Sequence, residues 1–162
     1  MWNLQKSKMK YFLVGYMACG KSRYGKEMAR RLGIRFIDLD AYIVDRERYS
    51  ISEIFAARGE VRFRQLETRY LHEVCELYEN FVLATGGGTP CYNDNMEYMN
   101  ERGVTIFLNT DLEIITNRLQ HDRQKRPLIH GLNCDEIREY VRTHFKQRES
   151  FYRLAQQIII PE

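Results

Sequence analysis

Residues 15–22 read GYMACGKS, and this stretch decides the fold of the chain. It follows the apolar run at residues 11–14 and precedes a helical pattern over residues 21–32. It fits the pattern G-x-x-x-x-G-K-[ST] at every position, in the strand–turn–helix context that a phosphate-binding loop requires. The stretch therefore predicts a loop that holds the phosphates of a nucleotide. The alternative is a glycine turn that merely caps a helix beside an exposed lysine.

Each residue type in the loop suits phosphate chemistry. Gly15 and Gly20 permit backbone torsions that let successive N–H groups converge on phosphate oxygens, and the helix N-terminus behind them adds its positive end. Lys21 supplies a mobile charge to the outer phosphates, and Ser22 offers a hydroxyl to Mg²⁺. The predicted nucleotide-binding residues of the loop are Gly15, Ala18, Cys19, Gly20, Lys21 and Ser22.

Length and composition indicate one domain with an ordinary core. The chain has 162 residues, 44% of them hydrophobic, and a net charge of +3, which does not demand a nucleic-acid partner. Residues 1–10 contain lysines but no apolar segment typical of a signal peptide, and no run is long enough to span a membrane. The four cysteines lie far apart, without metal-ligand spacing. These features predict a soluble, intracellular, cytoplasmic protein.

Short apolar runs alternate with helical patterns along the chain. This alternation predicts an α/β fold, a five-stranded parallel sheet between two layers of helices. The predicted strands are residues 11–14, 34–37, 81–84, 104–108 and 157–160. The predicted helices are residues 21–32, 41–49, 95–101, 112–120 and 135–148, with a long helix whose apolar stripe runs from Phe63 to Tyr78.

Two aspartates follow the second predicted strand. Asp38 and Asp40 are two residues apart, which on an extended backbone places both side chains on the same side. Ligands of open parallel sheets bind beyond the carboxyl ends of the strands. We expect Asp38 to orient water around Mg²⁺ and Asp40 to accept a proton from an attacking hydroxyl. The alternative is that one of them caps the following helix.

A glycine run and two arginines are further candidates for ligand binding. Gly86, Gly87 and Gly88 follow the third strand and form a wall without side chains, unless they are simply a flexible loop. A guanidinium such as that of Arg64 or Arg148 can clamp a carboxylate, although pattern alone does not single out these two among the arginines of the chain. The alternative is that they are solvated surface arginines, paired to Glu60 or Glu149.

The polar segment at residues 121–134 fits no helical or strand period. Its length predicts a mobile functional loop. It contains Arg123, Lys125 and Arg126, and arginines on a closing lid would stabilise charge on a transferring phosphoryl group. The alternatives are a solvated charged loop or a basic patch for nucleic acid, which lacks interleaved aromatic residues here.

Taken together, these motifs resemble the shikimate kinase family over nearly the whole chain. The D-x-D after the second strand, the F-R after G-E, and the T-G-G-G are specific to that family in combination. The matching segments are GYMACGKS, FIDLD, SISEIF, GEVRFRQLE, LATGGG, RPLI and RESFY. The chain departs from the family pattern at Ala18, Arg23 and Ser150, where glycine, threonine and proline are common.

The resemblance implies a P-loop fold of the nucleoside-monophosphate-kinase type, with a substrate-binding helical region at about residues 39–70 and a lid at about residues 120–134. It implies transfer of the γ-phosphate of ATP to the 3-hydroxyl of shikimate, with Mg²⁺, in aromatic amino-acid biosynthesis. The expected partners are ATP and shikimate, with no nucleic acid and no membrane, and the expected state is a monomer.

The resemblance also assigns roles to individual residues. Lys21 binds phosphate, Ser22 and Asp38 belong to the magnesium site, and Asp40 contacts the shikimate hydroxyl as the base. Arg64 and Arg148 clamp the shikimate carboxylate, with Gly86, Gly87 and Gly88 as the wall of the site. Arg126 reaches the phosphates from the lid. Arg118 lies against adenine.

Two rival functions remain open at this stage. One is a kinase of another small sugar acid, such as gluconate, on the same fold, because fold alone does not fix the acceptor. The other is a nucleotide-dependent binding or regulatory module, acting on nucleic acid without phosphoryl transfer. Acceptor-stimulated ADP release separates a kinase of shikimate or of another sugar acid from a binding or regulatory module.

Overall fold

The computed structural model describes residues 8–161, so most of the lysine-containing segment at residues 1–10 lies outside the described residues. Five strands form one sheet in the order β2-β3-β1-β4-β5, and every neighbouring pair is parallel. This confirms the predicted five-stranded parallel sheet. The strands are β1 (Lys10–Val14), β2 (Arg35–Asp38), β3 (Phe81–Ala84), β4 (Val104–Leu108) and β5 (Gln157–Ile159).

Six helices connect the strands. The connection from β1 to β2 moves along the sheet in the opposite direction from the later connections. Because parallel crossovers are right-handed, helices therefore cover both faces of the sheet. The helices are α1 (Lys21–Leu32), α2 (Leu39–Glu47), α3 (Ile51–Leu77), α4 (Asn95–Arg102), α5 (Leu112–Asp122) and α6 (Cys134–Tyr152).

Strand register brings three loops to one edge of the sheet. Leu13 and Asp38 both pair with Ala84, the last residue of β3, and Val14 pairs with Phe107. The chain leaves β1, β2 and β3 at the same level as a result. The phosphate-type loop, the aspartates and the glycine run therefore meet at the carboxyl edge.

Helix α3 begins earlier than its apolar stripe suggested. Ser50 caps it through a reciprocal capping box with Glu53, which satisfies two backbone N–H groups at the helix start. Gly59 has φ 77°, a left-handed conformation that interrupts the helical geometry and bends the chain. The bend separates a short first segment from the long second segment that carries Arg64.

Two helix ends differ from the prediction. Helix α5 continues through Asp122, into the segment predicted as a loop, and residues 123–125 form a short 3₁₀ turn. Helix α6 continues to Tyr152, so Arg148 lies inside the helix and not where it ends. A capping box between Asn133 and Glu136 fixes the start of α6.

The core lies between the sheet and the helices. All four residues of β3 are buried, as expected for a central strand covered on both faces. The apolar stripe of α3 joins the core through Phe63, Leu66 and Leu71. Over residues 8–161, no helix combines the length and the apolar character that a membrane span needs.

Candidate active site

The loop after β1 has the geometry of a phosphate-binding turn. Gly15 has φ 147°, and a Cβ at this position would lie 2.9 Å from Cys19 Sγ and 3.0 Å from the carbonyl oxygen of Leu108. A larger residue therefore has neither the torsion nor the space. Gly20, with φ 101°, precedes the first residue of α1, so the N-terminus of that helix opens onto the loop.

Lys21 lies inside this turn. Its Nζ donates to the carbonyl oxygens of Gly15 (2.7 Å) and Tyr16 (3.0 Å), and its side chain is buried. The alternative of an exposed lysine beside a capping turn is therefore wrong. The carbonyl oxygen of Cys19 accepts a hydrogen bond from Thr110 Oγ1 (2.7 Å), which anchors the loop to the segment after β4.

Asp38 caps the following helix, as the alternative interpretation expected, and also bonds the phosphate-type loop. Its Oδ2 accepts a hydrogen bond from Ser22 Oγ (2.7 Å), while its Oδ1 accepts from the backbone N–H of Ala41 (3.1 Å) and caps α2. Asp40 lies in the first turn of α2, so the extended-backbone reason for placing both aspartates on one side is wrong. They face the same cavity because α2 begins directly after β2.

The first of two adjoining cavities, here called the phosphate cavity, has a volume of about 390 Å³. The predicted residues that line it include Ala18, Gly20, Lys21, Ser22, Asp38, Asp40, Arg118 and Arg126. Two predicted loop residues, Gly15 and Cys19, are buried behind the lining. Met17, Arg23, Thr85 and Asp122 also line it and were not predicted.

The second cavity, here called the acid cavity, has a volume of about 290 Å³. It shares Met17, Asp40, Gly86, Gly87 and Arg126 with the phosphate cavity. Its other walls come from the first and second segments of α3, from residues 125–129 and from α6. The two cavities therefore meet at Asp40 and the glycine run.

Arg64 is held in the acid cavity by a network of side chains. Its Nη1 donates to Glu67 Oε2 (2.8 Å), its Nη2 lies 3.3 Å from Glu60 Oε1, and its guanidinium stacks on the ring of Tyr92, 4.3 Å from the centroid. The predicted pairing of Arg64 with Glu60 is confirmed. Because Arg64 also faces the cavity, pairing does not remove it from ligand binding.

Glu67 is a site residue that the sequence reasoning missed. It is 1% exposed, and besides Arg64 it accepts a hydrogen bond from Thr89 Oγ1 (2.7 Å). A buried carboxylate needs such partners, because burial of an unpaired charge is costly. The signal was available in the sequence, since Glu67 interrupts the apolar stripe between Phe63 and Leu71 at helical spacing.

Arg148 reaches the acid cavity from α6. A Cβ at Gly87 would lie 3.5 Å from Arg148 Nη1, so the guanidinium lies over the glycine run. Within residues 8–161, Glu149 forms its ion pair with Arg153 (2.6 Å) and not with Arg148. The alternative of a surface pair between Arg148 and Glu149 is therefore wrong.

The glycine run is packed closely by charged side chains. A Cβ at Gly86 would lie 2.7 Å from Glu67 Oε1, and a Cβ at Gly88 would collide with the Arg64 guanidinium, whose Cζ would be 2.8 Å away. Gly86 and Gly88 are buried. A residue larger than glycine at Gly86 or Gly88 would collide with Glu67 or Arg64. The run is therefore a closely packed wall and not a flexible loop.

Asp40 lies in an environment that favours its protonated form. Burial raises the pKa of Asp40 to about 6, and the nearby carboxylates of Glu67 and Asp38 contribute in the same direction. Lys21 and Arg64 oppose the rise. A carboxyl group with a pKa near neutrality, between a phosphate loop and two arginines, is suited to accept a proton.

The segment at residues 121–134 contributes to both cavities. Arg126 lines both, Lys125 lines only the acid cavity, and Arg123 lines neither. Arg118 donates through Nη1 to the carbonyl oxygen of Ala18 (2.9 Å) at the outer end of the phosphate cavity. Of Arg123, Lys125 and Arg126, only Arg126 lines both cavities.

The oxygen donors at Ser22 and Asp38 fit Mg²⁺. This ion binds through one or two protein oxygens and takes its other ligands from substrate phosphates and water. A hydroxyl and a carboxylate 2.7 Å apart beside the phosphate loop supply such a partial set. Residues 8–161 contain no group of three or more His, Cys, Asp and Glu residues that would form an all-protein metal cage.

A parallel sheet with a phosphate-type loop after β1, and a second cavity lined by Arg64 and Arg148 beyond Asp40, are the features of a P-loop kinase of small molecules. The sequence model of the family described as shikimate kinase matches residues 17–162. On both grounds, the chain belongs to the shikimate kinase family, whose members are ATP-dependent kinases.

Individual relatives agree with this assignment. A shikimate kinase of Bacteroides thetaiotaomicron is 45% identical over 150 residues, which cover 93% of this chain and 85% of the relative. A crystal structure of the shikimate kinase from that organism superposes with a TM-score of 0.90 at 45% identity, covering 94% of this chain and 86% of the other. The shikimate kinase of Acinetobacter baumannii, solved in complex with shikimate, superposes with a TM-score of 0.86 at 34% identity and covers 96% and 86%.

Proposed function

We propose that this chain transfers the γ-phosphate of ATP to the 3-hydroxyl of shikimate, giving shikimate 3-phosphate and ADP, as a step of aromatic amino-acid biosynthesis. The observation that carries the proposal is the contact between the two cavities at Asp40, Gly86 and Gly87. An anion in each cavity would place a donor phosphate and an acceptor hydroxyl side by side. The shikimate-bound relative from Acinetobacter baumannii supports the choice of acceptor.

At the nucleotide end, the loop from Gly15 to Ser22 binds the phosphates through backbone N–H groups and Lys21. Arg126 approaches the γ-phosphate from the acid-cavity side, and Arg118 stacks on adenine. Phosphoryl transfer has a loose transition state with charge spread over the γ-oxygens. The main contribution of the protein is therefore the positive charge of Lys21 and Arg126 near that group. Gly15 and Cys19 act by shaping the loop rather than by contact.

Mg²⁺ would be held by Ser22 Oγ and the Asp38 carboxylate, together with phosphate oxygens and water. When bound, the ion neutralises charge that develops between the β- and γ-phosphates. The Ser22–Asp38 hydrogen bond of 2.7 Å keeps the two oxygens close together before binding. The cap that Asp38 forms on α2 keeps its carboxylate directed at the loop.

At the acceptor end, Arg64 and Arg148 bind the carboxylate of shikimate. Two guanidinium groups can form parallel charge-assisted hydrogen bonds with a carboxylate. Glu67 and Tyr92 limit the rotation of Arg64, so little side-chain entropy is lost on binding. Gly86, Gly87 and Gly88 leave room for the ring, with Gly87 as the closest backbone contact.

Asp40 orients the acceptor hydroxyl and takes its proton. Because the transition state is loose, its position matters more than strong basicity. Only the ionised carboxylate can accept the proton. With the pKa of Asp40 raised to about 6, turnover is expected to rise as the pH increases through that value and then to level off.

The proposal extends to the organisation of the chain. Residues 1–162 form one P-loop kinase domain, with a substrate-binding helical region at about residues 39–70 that supplies Asp40 and Arg64, and a lid at about residues 120–134. The lid role is supported by Arg126, which lines both cavities. The enzyme acts as a cytoplasmic monomer on ATP and shikimate, without a nucleic-acid or membrane partner, consistent with its small net charge of +3.

Measuring ADP formation with and without an acceptor tests the function. We expect shikimate to stimulate ADP release strongly and gluconate to have little effect.

Asp40→Asn should lower kcat by about 10²-fold or more while ATP still binds, since loss of a general base typically costs 10²–10⁴. ADP release that gluconate stimulates as well as shikimate, or turnover of the variant near wild type, would contradict the proposal. Salt-dependent binding of DNA without stimulated turnover would favour a regulatory module.

A further inference from the structure

Three residues on one face of α6 contact the site at three different points. His144, Arg148 and Tyr152 are four residues apart, so their side chains lie in a row along the helix. His144 Nδ1 lies 2.9 Å from the hydroxyl of Tyr16 in the phosphate loop. The hydroxyl of Tyr152 donates to the carbonyl oxygen of Gly87 (2.6 Å). Arg148, between them, faces the acid cavity.

Tyr16 connects this row to the nucleotide end of the site. Its side chain is fully buried, and its ring packs edge-on against His144, with the centroids 5.5 Å apart. Its carbonyl oxygen accepts one of the hydrogen bonds of Lys21 Nζ, at 3.0 Å. One residue therefore contacts both the phosphate lysine and the helix that carries Arg148.

The hydrogen bond between Tyr16 and His144 joins two neutral groups. Burial, together with the nearby guanidinium groups of Arg148 and Arg64, lowers the pKa of His144 to about 4, against a small opposing effect of Glu60. Burial raises the pKa of Tyr16, which keeps its proton. The bond therefore joins a neutral phenol to a neutral imidazole at Nδ1, without a charged partner.

Neither Tyr16 nor His144 lines the phosphate cavity or the acid cavity. An effect of either side chain on turnover must therefore pass through a neighbour. The neighbour on α6 is Arg148, one helical turn from His144. Tyr152 anchors the helix on one side of Arg148, through Gly87, and His144 anchors it on the other side, through Tyr16.

We propose that the Tyr16–His144 hydrogen bond is a positioning contact, which fixes Arg148 relative to the phosphate loop and so sets the distance between acceptor carboxylate and transferring phosphate. The inference rests on the proposed function, because it takes Arg148 as a ligand of the acceptor. Small displacements of positioning groups reduce rates strongly, since the reacting atoms must be aligned within a fraction of an ångström.

Tyr16→Phe removes the hydroxyl and keeps the buried ring. We expect the KM for shikimate to rise about fivefold or more, as for loss of one hydrogen bond, with the KM for ATP changed less than about twofold. Tyr70→Phe is the matched control, because Tyr70 is a buried tyrosine that bonds Glu47 and lines neither cavity. Both variants should lose similar thermal stability, while only Tyr16→Phe should change the KM for shikimate.

A double-variant cycle tests whether the two residues act together. His144→Leu should raise the KM for shikimate as Tyr16→Phe does, and the double variant should be no worse than either single variant. His144→Gln, which retains a side-chain acceptor, should restore most of the loss. Independent additive effects, equal rises in KM for both substrates, or no change in either would overturn the positioning role.

A spectroscopic measurement separates failure of this inference from failure of the proposed function. The Nε–Hε NMR signal of Arg148, assigned with Arg148→Lys, should shift or broaden in Tyr16→Phe and stay unchanged in Tyr70→Phe. If wild type does not phosphorylate shikimate, the proposed function fails, and this signal alone decides the inference. An Arg148 signal that is identical in wild type and Tyr16→Phe would overturn it.

Discussion

The phosphate cavity and the acid cavity are built in different ways. The phosphate cavity takes five of its lining residues from one contiguous loop, residues 15–22, whose backbone and Lys21 are proposed to bind the phosphates. The acid cavity collects side chains from α2, α3, residues 125–129 and α6. The difference teaches that a site made of backbone tolerates side-chain changes such as Ala18 and Arg23. A site made of side-chain networks depends on each member.

The largest effect that separates the two regions is expected at Arg64. Arg64→Lys keeps the positive charge beside the buried Glu67 but removes the planar fork that binds a carboxylate through two bonds. The KM for shikimate should rise about 10- to 100-fold, since charge-assisted hydrogen bonds contribute about 1.5–3 kcal/mol each. The KM for ATP should change little. Initial-rate kinetics with each substrate varied in turn measures both values.

Arg62→Lys is the control for this change. Arg62 is exposed, lies two residues before Arg64 on the same helix and bonds only Gln65 among residues 8–161. It should leave both KM values unchanged. Equal losses of ATP and shikimate affinity in Arg64→Lys would contradict the proposal that Arg64 binds the acceptor and not the nucleotide.

A second test uses Asp40, where the cavities meet. Its folded-state pKa is raised from the ordinary 3.8 to about 6, mainly by burial. Its contribution to stability is therefore fully present below about pH 3.8 and is lost as the pH rises through 6. Asp40→Asn should raise the free energy of unfolding at pH 8 by about 1–3 kcal/mol, because one pKa unit corresponds to about 1.4 kcal/mol.

Urea unfolding of wild type and Asp40→Asn at pH 8 and pH 4.5 measures this gain, which should shrink at the lower pH. Asp45→Asn, an exposed carboxylate on the same helix, provides the control and should show no comparable gain. A variant that gains stability while it loses turnover would identify Asp40 as a functional residue kept at a cost in stability. Equal stability of the two proteins at pH 8 would contradict the raised pKa.

The same difference explains what could be predicted from the sequence. The phosphate loop is local, so the spacing of Gly15, Gly20 and Lys21 was sufficient to predict its turn and the strand and helix beside it. The apolar runs predicted all five strands. For the three central strands, β3, β1 and β4, the reason is that central parallel strands are continuously apolar. The family could be recognised because its motifs, like the phosphate loop, are short and local in sequence.

Contacts between distant segments could not be predicted in this way. Glu67 accepts a hydrogen bond from Thr89 across 22 residues of sequence, and Tyr16 bonds His144 across 128. Asp40 was expected on extended backbone, but α2 begins at Leu39, because the Asp38 cap starts the helix immediately after the strand. The two long-range hydrogen bonds depend on which elements pack together, and no local pattern encodes that. The Asp38 cap, by contrast, is a local signal, which the sequence indicated only as the alternative.

The smallest effect concerns the tolerance of the phosphate loop itself. Ala18 has φ 60°, a left-handed conformation that favours glycine. Ala18→Gly should therefore stabilise the protein by about 0.5–1 kcal/mol, measured as a rise in Tm. Gly33→Ala is the reverse control, because Gly33 has φ 65° and a Cβ there would meet no atom within 4 Å, so only the torsional cost is measured. If the loop binds through its backbone, Ala18→Gly should leave the KM for ATP within about twofold of wild type, whereas a large rise would show that the Ala18 side chain takes part in nucleotide binding.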